Sequence, residues 1–248
     1  VDCSKCQCDT HHAKNILYEI LNKEHRNETK CRRVVLKTPE VTCRRASEVL
    51  LKTSTFIRNL PSFYHVPWED QVALIQQNWA PLFVLGLAQE GVDFGLREIS
   101  VPSLLKKILL NQSSTASDEL GSSSLGASLA EVQKMKNLLW KLWELDLSAK
   151  EYAYLKGNIL FNSAVPSLRQ TCTGGNRLQT EAQQALKEFV SMMFNRHVGR
   201  FAWILQLPTS LRDIDADVIE ELFFRSILGE VILNELLLEI LYIKPDWH

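Results

Sequence analysis

An all-α fold interrupted by one small β-hairpin is what this sequence predicts, and three observations carry the expectation. The apolar residues Val72, Leu74, Ile75, Trp79, Leu82, Phe83, Leu85 and Leu87 begin at amphipathic spacing. They then become hydrophobic almost all round, as in a helix at the centre of a domain. Segments 127–145, 148–162 and 176–195 show helical periodicity downstream, and Ser148 with Glu151 three residues on forms a capping box. Alternation is confined to Val92–Ile99, punctuated by Gly91 and Gly95, and predicts the hairpin.

Composition narrows the function. The 248 residues suit one large domain or two small ones, and 46% hydrophobic content supplies a sizeable core. A net charge of −1 argues against a broad nucleic-acid surface, which needs clustered bases. No apolar run reaches the roughly 18 residues that span a bilayer. The chain begins at Val1 with no signal-peptide pattern and reads as part of a longer protein. Six cysteines in a chain with a good core need no disulfide framework, so a reducing, intracellular compartment is expected. No Gly-x-Ser-x-Gly, His-Glu-x-x-His or phosphate-binding glycine loop is present, and His65 and His197 stand alone. The chain is therefore expected to be no enzyme and to need no cofactor.

In order, residues 1–39 read as a Cys-rich segment and a basic linker. Cys3, Cys6 and Cys8 are weak zinc candidates, because Cys-x2-Cys-x-Cys lacks a second ligand pair at finger spacing. A tail carrying thiols is the favoured reading. Within 13–25, Leu17, Tyr18, Ile20 and Leu21 lie in LYEIL, an LxxLL-like box whose anchors at i, i+3 and i+4 suit docking into a hydrophobic groove. An ordinary amphipathic helix shows the same spacing. Residues 26–39 read as the linker, and 40–248 as one domain. A helix follows over 40–60, with Val49, Leu50, Phe56, Ile57 and Leu60 inward, and then the turn PSFYHVP.

Two readings of that turn stand. Phe63 and Val66 either pack in the core or form, between Pro61 and Pro67, a preorganised one-turn mimic of an LxxLL helix. After the expected hairpin come a short helix over 102–110 and a Ser/Gly-rich mobile loop at 111–126. The last long helix, 198–229, should kink or break at Pro208.

Phe56, Ile57, Arg58, Pro61, Ser62, Phe63, Val66, Asp70, Gln71, Leu74, Ile75 and Trp79 fall in one gapless register. With EYAYLKGNILFN, GRFAWILQLPTSLRDI and the terminal LLLEIL, they resemble the ligand-binding domains of nuclear receptors over roughly 40–243. The resemblance implies a three-layer antiparallel helical sandwich. It also implies a coregulator groove with a charge clamp: Arg58 and Glu239 at its ends, and Gln71, Val72, Gln76, Leu236, Leu237 and Ile240 along it. Segment 198–229 resembles a homo- or heterodimer region.

One departure from the family pattern is Glu90, where ligand-activated receptors carry an arginine that anchors a polar ligand group; Arg97 is a weak substitute. The other is the Cys-rich LYEIL segment in place of a DNA-binding module. Both resemble the atypical orphan receptors of the family. That implies a nuclear, also cytoplasmic, corepressor that binds receptors such as liver receptor homologue and steroidogenic factor. It would recruit silencing corepressors and contact neither DNA nor membrane. The alternative is a receptor domain regulated by a lipid or steroid.

Overall fold

The computed structural model describes residues 32–60, 63–64, 66–99, 126–161, 183–188, 191, 198–229 and 233–242. Their elements are β1 (Arg33–Leu36), α1 (Pro39–Arg58), α2 (Trp68–Gln89), β2 (Leu96–Ile99), β3 (Ala127–Ser128), α3 (Leu129–Glu144), α4 (Ala149–Phe161), α5 (Val198–Arg212), α6 (Ala216–Ile219), a π turn (Glu220–Phe224), α7 (Arg225–Leu228) and α8 (Leu233–Tyr242). Residues 183–188 are helical. The 102–110 helix, nearly all of the 111–126 loop, and the Cys3, Cys6, Cys8 and LYEIL residues lie outside the described residues.

The long apolar segment becomes α2, the centre of the sandwich. From Leu74 its apolar side chains are buried on nearly every side, and the polar Asn78 among them donates to Leu74 O at 2.7 Å. Helix α1 opens with Pro39 in its first turn, where a missing N–H costs nothing, and ends with Arg58 beside the negative pole of the dipole. Its inward face repeats through Cys43, Ala46, Val49, Leu50, Thr53 and Ile57. Where α1 crosses α2, Gly86 makes the close approach possible: a Cβ there would sit 2.6 Å from Val49 Cγ1. Helices α1 and α8 cover one flank of α2, and α4 and α5 another.

Helix α2 ends in a Schellman motif. Gly91 takes φ 60°, its N–H bonds Ala88 O at 3.1 Å, and the Val92 N–H reaches Leu87 O at 2.9 Å. The chain then enters β2. This strand is the one expected from the alternating stretch, but its partner is not a neighbour. It pairs antiparallel with β1, Arg33 facing Ile99 and Leu36 facing Leu96, and β1 pairs on its other side with β3. The order is β2-β1-β3. Residues 33–36 are therefore no linker: they form the middle strand of the sheet, with Val34 and Leu36 buried, so the folded domain starts before residue 40.

The capping box forms as the sequence predicts. Ser148 N donates to Glu151 Oε2 at 2.8 Å, and Glu151 N donates to Ser148 Oγ at 3.3 Å. Helix α3 buries Val132, Met135, Leu138, Leu139 and Leu142, and Trp143 Nε1 donates to Ala88 O at 3.0 Å, tying it to the end of α2.

Pro208 does not break its helix. Helix α5 runs through it to Arg212, because Ile204, Leu207 and Leu211 are anchored in the core on either side of the proline. The interruption comes at Asp213–Asp215, where the Asp215 carboxylate accepts from Asp217 N at 3.0 Å and caps α6. The π turn that follows buries the consecutive residues Leu222, Phe223 and Phe224.

Candidate helix-docking surface

Three elements meet at one end of the sandwich: the end of α1, the turn into α2, and α8. In the turn, Phe63 N bonds Leu60 O at 3.0 Å and Val66 N bonds Phe63 O at 3.2 Å. This folds Phe63 and Val66 inward to 1% and 8% exposure. Of the two readings of Phe63 and Val66, core packing is the one the structure has: the two side chains are the apolar plug beneath the turn and present no exposed LxxLL mimic. The aromatics left on the surface are Tyr64 and Trp68. Pro67 precedes α2 as its cap residue, and Pro61 lies outside the described residues.

Gln71 joins the parts. It is buried, its Nε2 donates to Val66 O at 2.7 Å, and its Oε1 accepts from Tyr242 Oη at 2.8 Å. The Tyr242 ring lies 4.1 Å from that of Trp68. Burial and the neighbouring Tyr64 raise the Tyr242 phenol above its ordinary range. Helix α8 is seated on α1 and α2 by Leu233 and Leu237, both buried, with Leu236 and Leu238 half-buried beside them.

Of the other residues assigned to the groove and clamp, Arg58 and Val72 are half-buried, and Gln76 and Glu239 are exposed. The Ile240 side chain lies outside the described residues. Trp68, Leu233 and Tyr242 belong to this surface and were not read from the sequence. The signal for Leu233 was present, since Leu233, Leu236 and Leu237 themselves stand at i, i+3 and i+4.

Glu90, for which the resemblance leads one to expect a ligand-anchoring arginine, sits in a polar cluster. Glu90 pairs with Lys52 at 2.5 Å, and its carbonyl accepts from Arg45 Nη2 at 3.2 Å. Lys156, buried close by, donates to Gln89 Oε1 at 2.6 Å with its ammonium 5.4 Å from the centre of the Phe56 ring. Burial lowers the Lys156 pKa, Glu90 opposing and Lys52 assisting. Arg97, the weak substitute, stands exposed on β2. Deeper in, Phe83 stacks 5.5 Å from Phe223 and 5.6 Å from Phe224, and Phe94 lies 5.0 Å from Phe223. Aromatic rings fill the space between α2 and the π turn.

Far from this surface, Glu151 is fully buried and receives Arg200 Nε at 2.9 Å and Nη2 at 3.0 Å, binding α4 to α5. Burial alone would raise the Glu151 pKa, but the bonds from Arg200 and Ser148 outweigh it and hold the carboxyl below its ordinary range. Among the described residues no His/Cys/Asp/Glu group is arranged to hold a metal, and no helix is long and apolar enough to cross a membrane.

Residues 28–228 match the family model described as the ligand-binding domain of nuclear hormone receptor. The chain is 45% identical over 214 residues to nuclear receptor subfamily 0 group B member 2 of Rattus norvegicus, covering 86% of this chain and 82% of that protein. Its human counterpart is 42% identical over 242 residues, covering 92% and 93%. Nuclear receptor subfamily 0 group B member 1 of Sus scrofa is 41% identical over 227 residues, covering 86% of this chain but 48% of that protein. The stretches LKTSTFIRNLPSFYHVP, EYAYLKG and VIEELFF lead to an expectation of group B member 1 first and member 2 second, and the identities reverse that order. Both group B members are matched, member 2 at the higher of these identities.

Proposed function

Because the chain belongs to the family of nuclear hormone receptor ligand-binding domains, we propose that it is a transcriptional corepressor that acts by binding other nuclear receptors. Family membership gives a nuclear location and a role in transcription regulation, and indicates no catalytic activity. The proposal extends the location to the cytoplasm. The LYEIL box, with Leu17, Ile20 and Leu21 as anchors and Tyr18 beside them, would occupy the groove that a coactivator helix needs on an activated receptor such as liver receptor homologue or steroidogenic factor. The bound domain would then bring silencing corepressors to the promoter. Segment 198–229 is available for a homo- or heterodimer contact.

One observation carries this reading over regulation by an internal lipid or steroid. The interior between α2 and the π turn is occupied by Phe83, Phe94, Phe223 and Phe224, and the family's ligand-anchoring position is Glu90, already paired with Lys52. A small-molecule site needs an apolar hollow with a few convergent polar groups.

Calorimetric titration of the chain into an agonist-type liver receptor homologue domain tests the proposal. Micromolar binding that Leu17→Ala with Leu21→Ala abolishes is the expected result. Binding that survives the double substitution moves the docking site elsewhere on this chain, and no binding overturns the proposal.

A further inference from the structure

We propose that Lys156 is a modification site for carbon dioxide, which its buried amine takes up reversibly as a carbamate.

Lys156 reaches from α4 into the seam where the end of α2 meets α1, and it is 9% exposed. An ammonium carries three N–H donors, and a buried one usually finds acceptors for them. Among the described residues this one has a single hydrogen bond, to Gln89 Oε1 at 2.6 Å, and its ammonium otherwise lies over the Phe56 ring. Glu90, the carboxylate whose charge reaches it, is already paired with Lys52 at 2.5 Å, while Arg45 holds the Glu90 carbonyl. Lys52, Arg45 and Lys156 set against Glu90 leave the cluster with a surplus of positive charge. A carbamate replaces the positive charge of Lys156 with a negative one and brings these four groups into balance.

The donor count moves in the same direction. A carbamate nitrogen keeps one N–H, the number that Gln89 serves. Its two new oxygens need donors. Thr53 supplies one: it is 4% exposed, and its hydroxyl has no partner among the described residues. Thr53 and Phe56 stand one turn apart on α1, as Gly86 and Gln89 do on α2. The Thr53 hydroxyl comes within 3.5 Å of where a Cβ on Gly86 would stand. The orphan hydroxyl therefore lies one turn along the same seam from the contacts of the amine. Lys52 supplies the second donor from the solvent side.

Burial lowers the Lys156 pKa, with Glu90 opposing and Lys52 assisting, and this leaves more of the amine neutral and nucleophilic. In the step itself the nitrogen lone pair bonds the carbon of carbon dioxide. One C–O π pair moves onto oxygen, and the nitrogen passes a proton to bicarbonate in solution. Nothing is oxidised or reduced, and the adduct reverts when dissolved carbon dioxide falls.

The test traps the adduct on the full chain. The protein is equilibrated with isotopically labelled bicarbonate near neutral pH, the carbamate is fixed by O-ethylation with triethyloxonium, and tryptic peptides are read by mass spectrometry. Labelled ethyl carbamate on Lys156 should exceed that on the exposed Lys37 and Lys141 by about tenfold or more. Thr53→Val should lower it about three- to tenfold, while Thr53→Ser, which keeps the hydroxyl, should not. No label on Lys156, or equal label on the exposed lysines, overturns the proposal on the wild type alone. Label that Thr53→Val leaves unchanged in a folded variant, checked by circular dichroism, removes the hydroxyl from the site and overturns the proposal as well. If Thr53→Val does not fold, the wild-type comparison decides.

Discussion

Replacing Arg200 with methionine strands a carboxylate inside the protein. Glu151 is 0% exposed at its side chain and Arg200 17%, and the guanidinium supplies Glu151 with two charged hydrogen bonds. Removing one partner of such a buried pair costs about 3–5 kcal/mol, because the remaining charge stays desolvated without compensation. For a domain of this size each kcal/mol is worth about 2–4 °C of Tm, so Arg200→Met should lower Tm by about 6–20 °C. Adding Glu151→Gln removes the stranded charge and should restore at least half of the loss. Urea unfolding of the wild type, both single variants and the double variant supplies the coupling energy directly.

The pH dependence has a definite sign. The folded Glu151 carboxyl lies below its ordinary value of 4.5, so the stability it contributes is complete above that pH and fades as pH falls through the folded value. The gap between wild type and Arg200→Met should therefore narrow as pH falls, starting above 4.5, where the variant's stranded carboxylate takes up a proton, and continuing below 4.5, where the wild type loses its pair. A loss under about 1 kcal/mol, no coupling between the two sites, or a gap constant with pH would refute the claim that this pair ties α4 to α5.

Three smaller perturbations test other parts of the fold. Phe83→Ala empties the centre of the aromatic cluster and should cost about 3–5 kcal/mol in urea unfolding. Gly86→Ala drives a Cβ into Val49 Cγ1; about 1–3 kcal/mol of overpacking, offset by about 1 kcal/mol of helix propensity, gives a net loss of up to about 2 kcal/mol that Val49→Ala should rescue in a double-mutant cycle. Lys156→Met removes a buried ammonium whose partner Gln89 is free to turn to water, so stability should change by less than about 1 kcal/mol in either direction.

What was legible in the sequence was local. Helix α2 announced itself through a run of apolar residues too dense for any surface, and the start of α4 through Ser148 and Glu151, which do bond reciprocally. What escaped was the pairing of distant segments. Arg33–Leu36 sits in a basic stretch with no turn signal toward a nearby partner, and its partners lie at 96–99 and 127–128. Tyr242 and Trp68 join only because α8 folds back onto α2. Of the kink or break expected at Pro208 the break does not occur there: the rule about one residue's missing N–H met core contacts on either side of it, and the helix ends at Arg212 instead. In the docking surface, Gln71 was found through its register, yet its two bonds, one to the turn and one to α8, belong to the assembled domain.

The middle position of β1 also has a consequence in time. As the chain is synthesised, Arg33 leaves the ribosome long before Gly126, its bonded neighbour at the other sheet edge, 93 residues further on. At about 5–20 residues per second, the interval is roughly 5–20 s. Throughout it, Val34 and Leu36 have no completed sheet to enter. The nascent protein must pass through a stage in which β1 has no strand partner, and that stage is when a chaperone has most to hold.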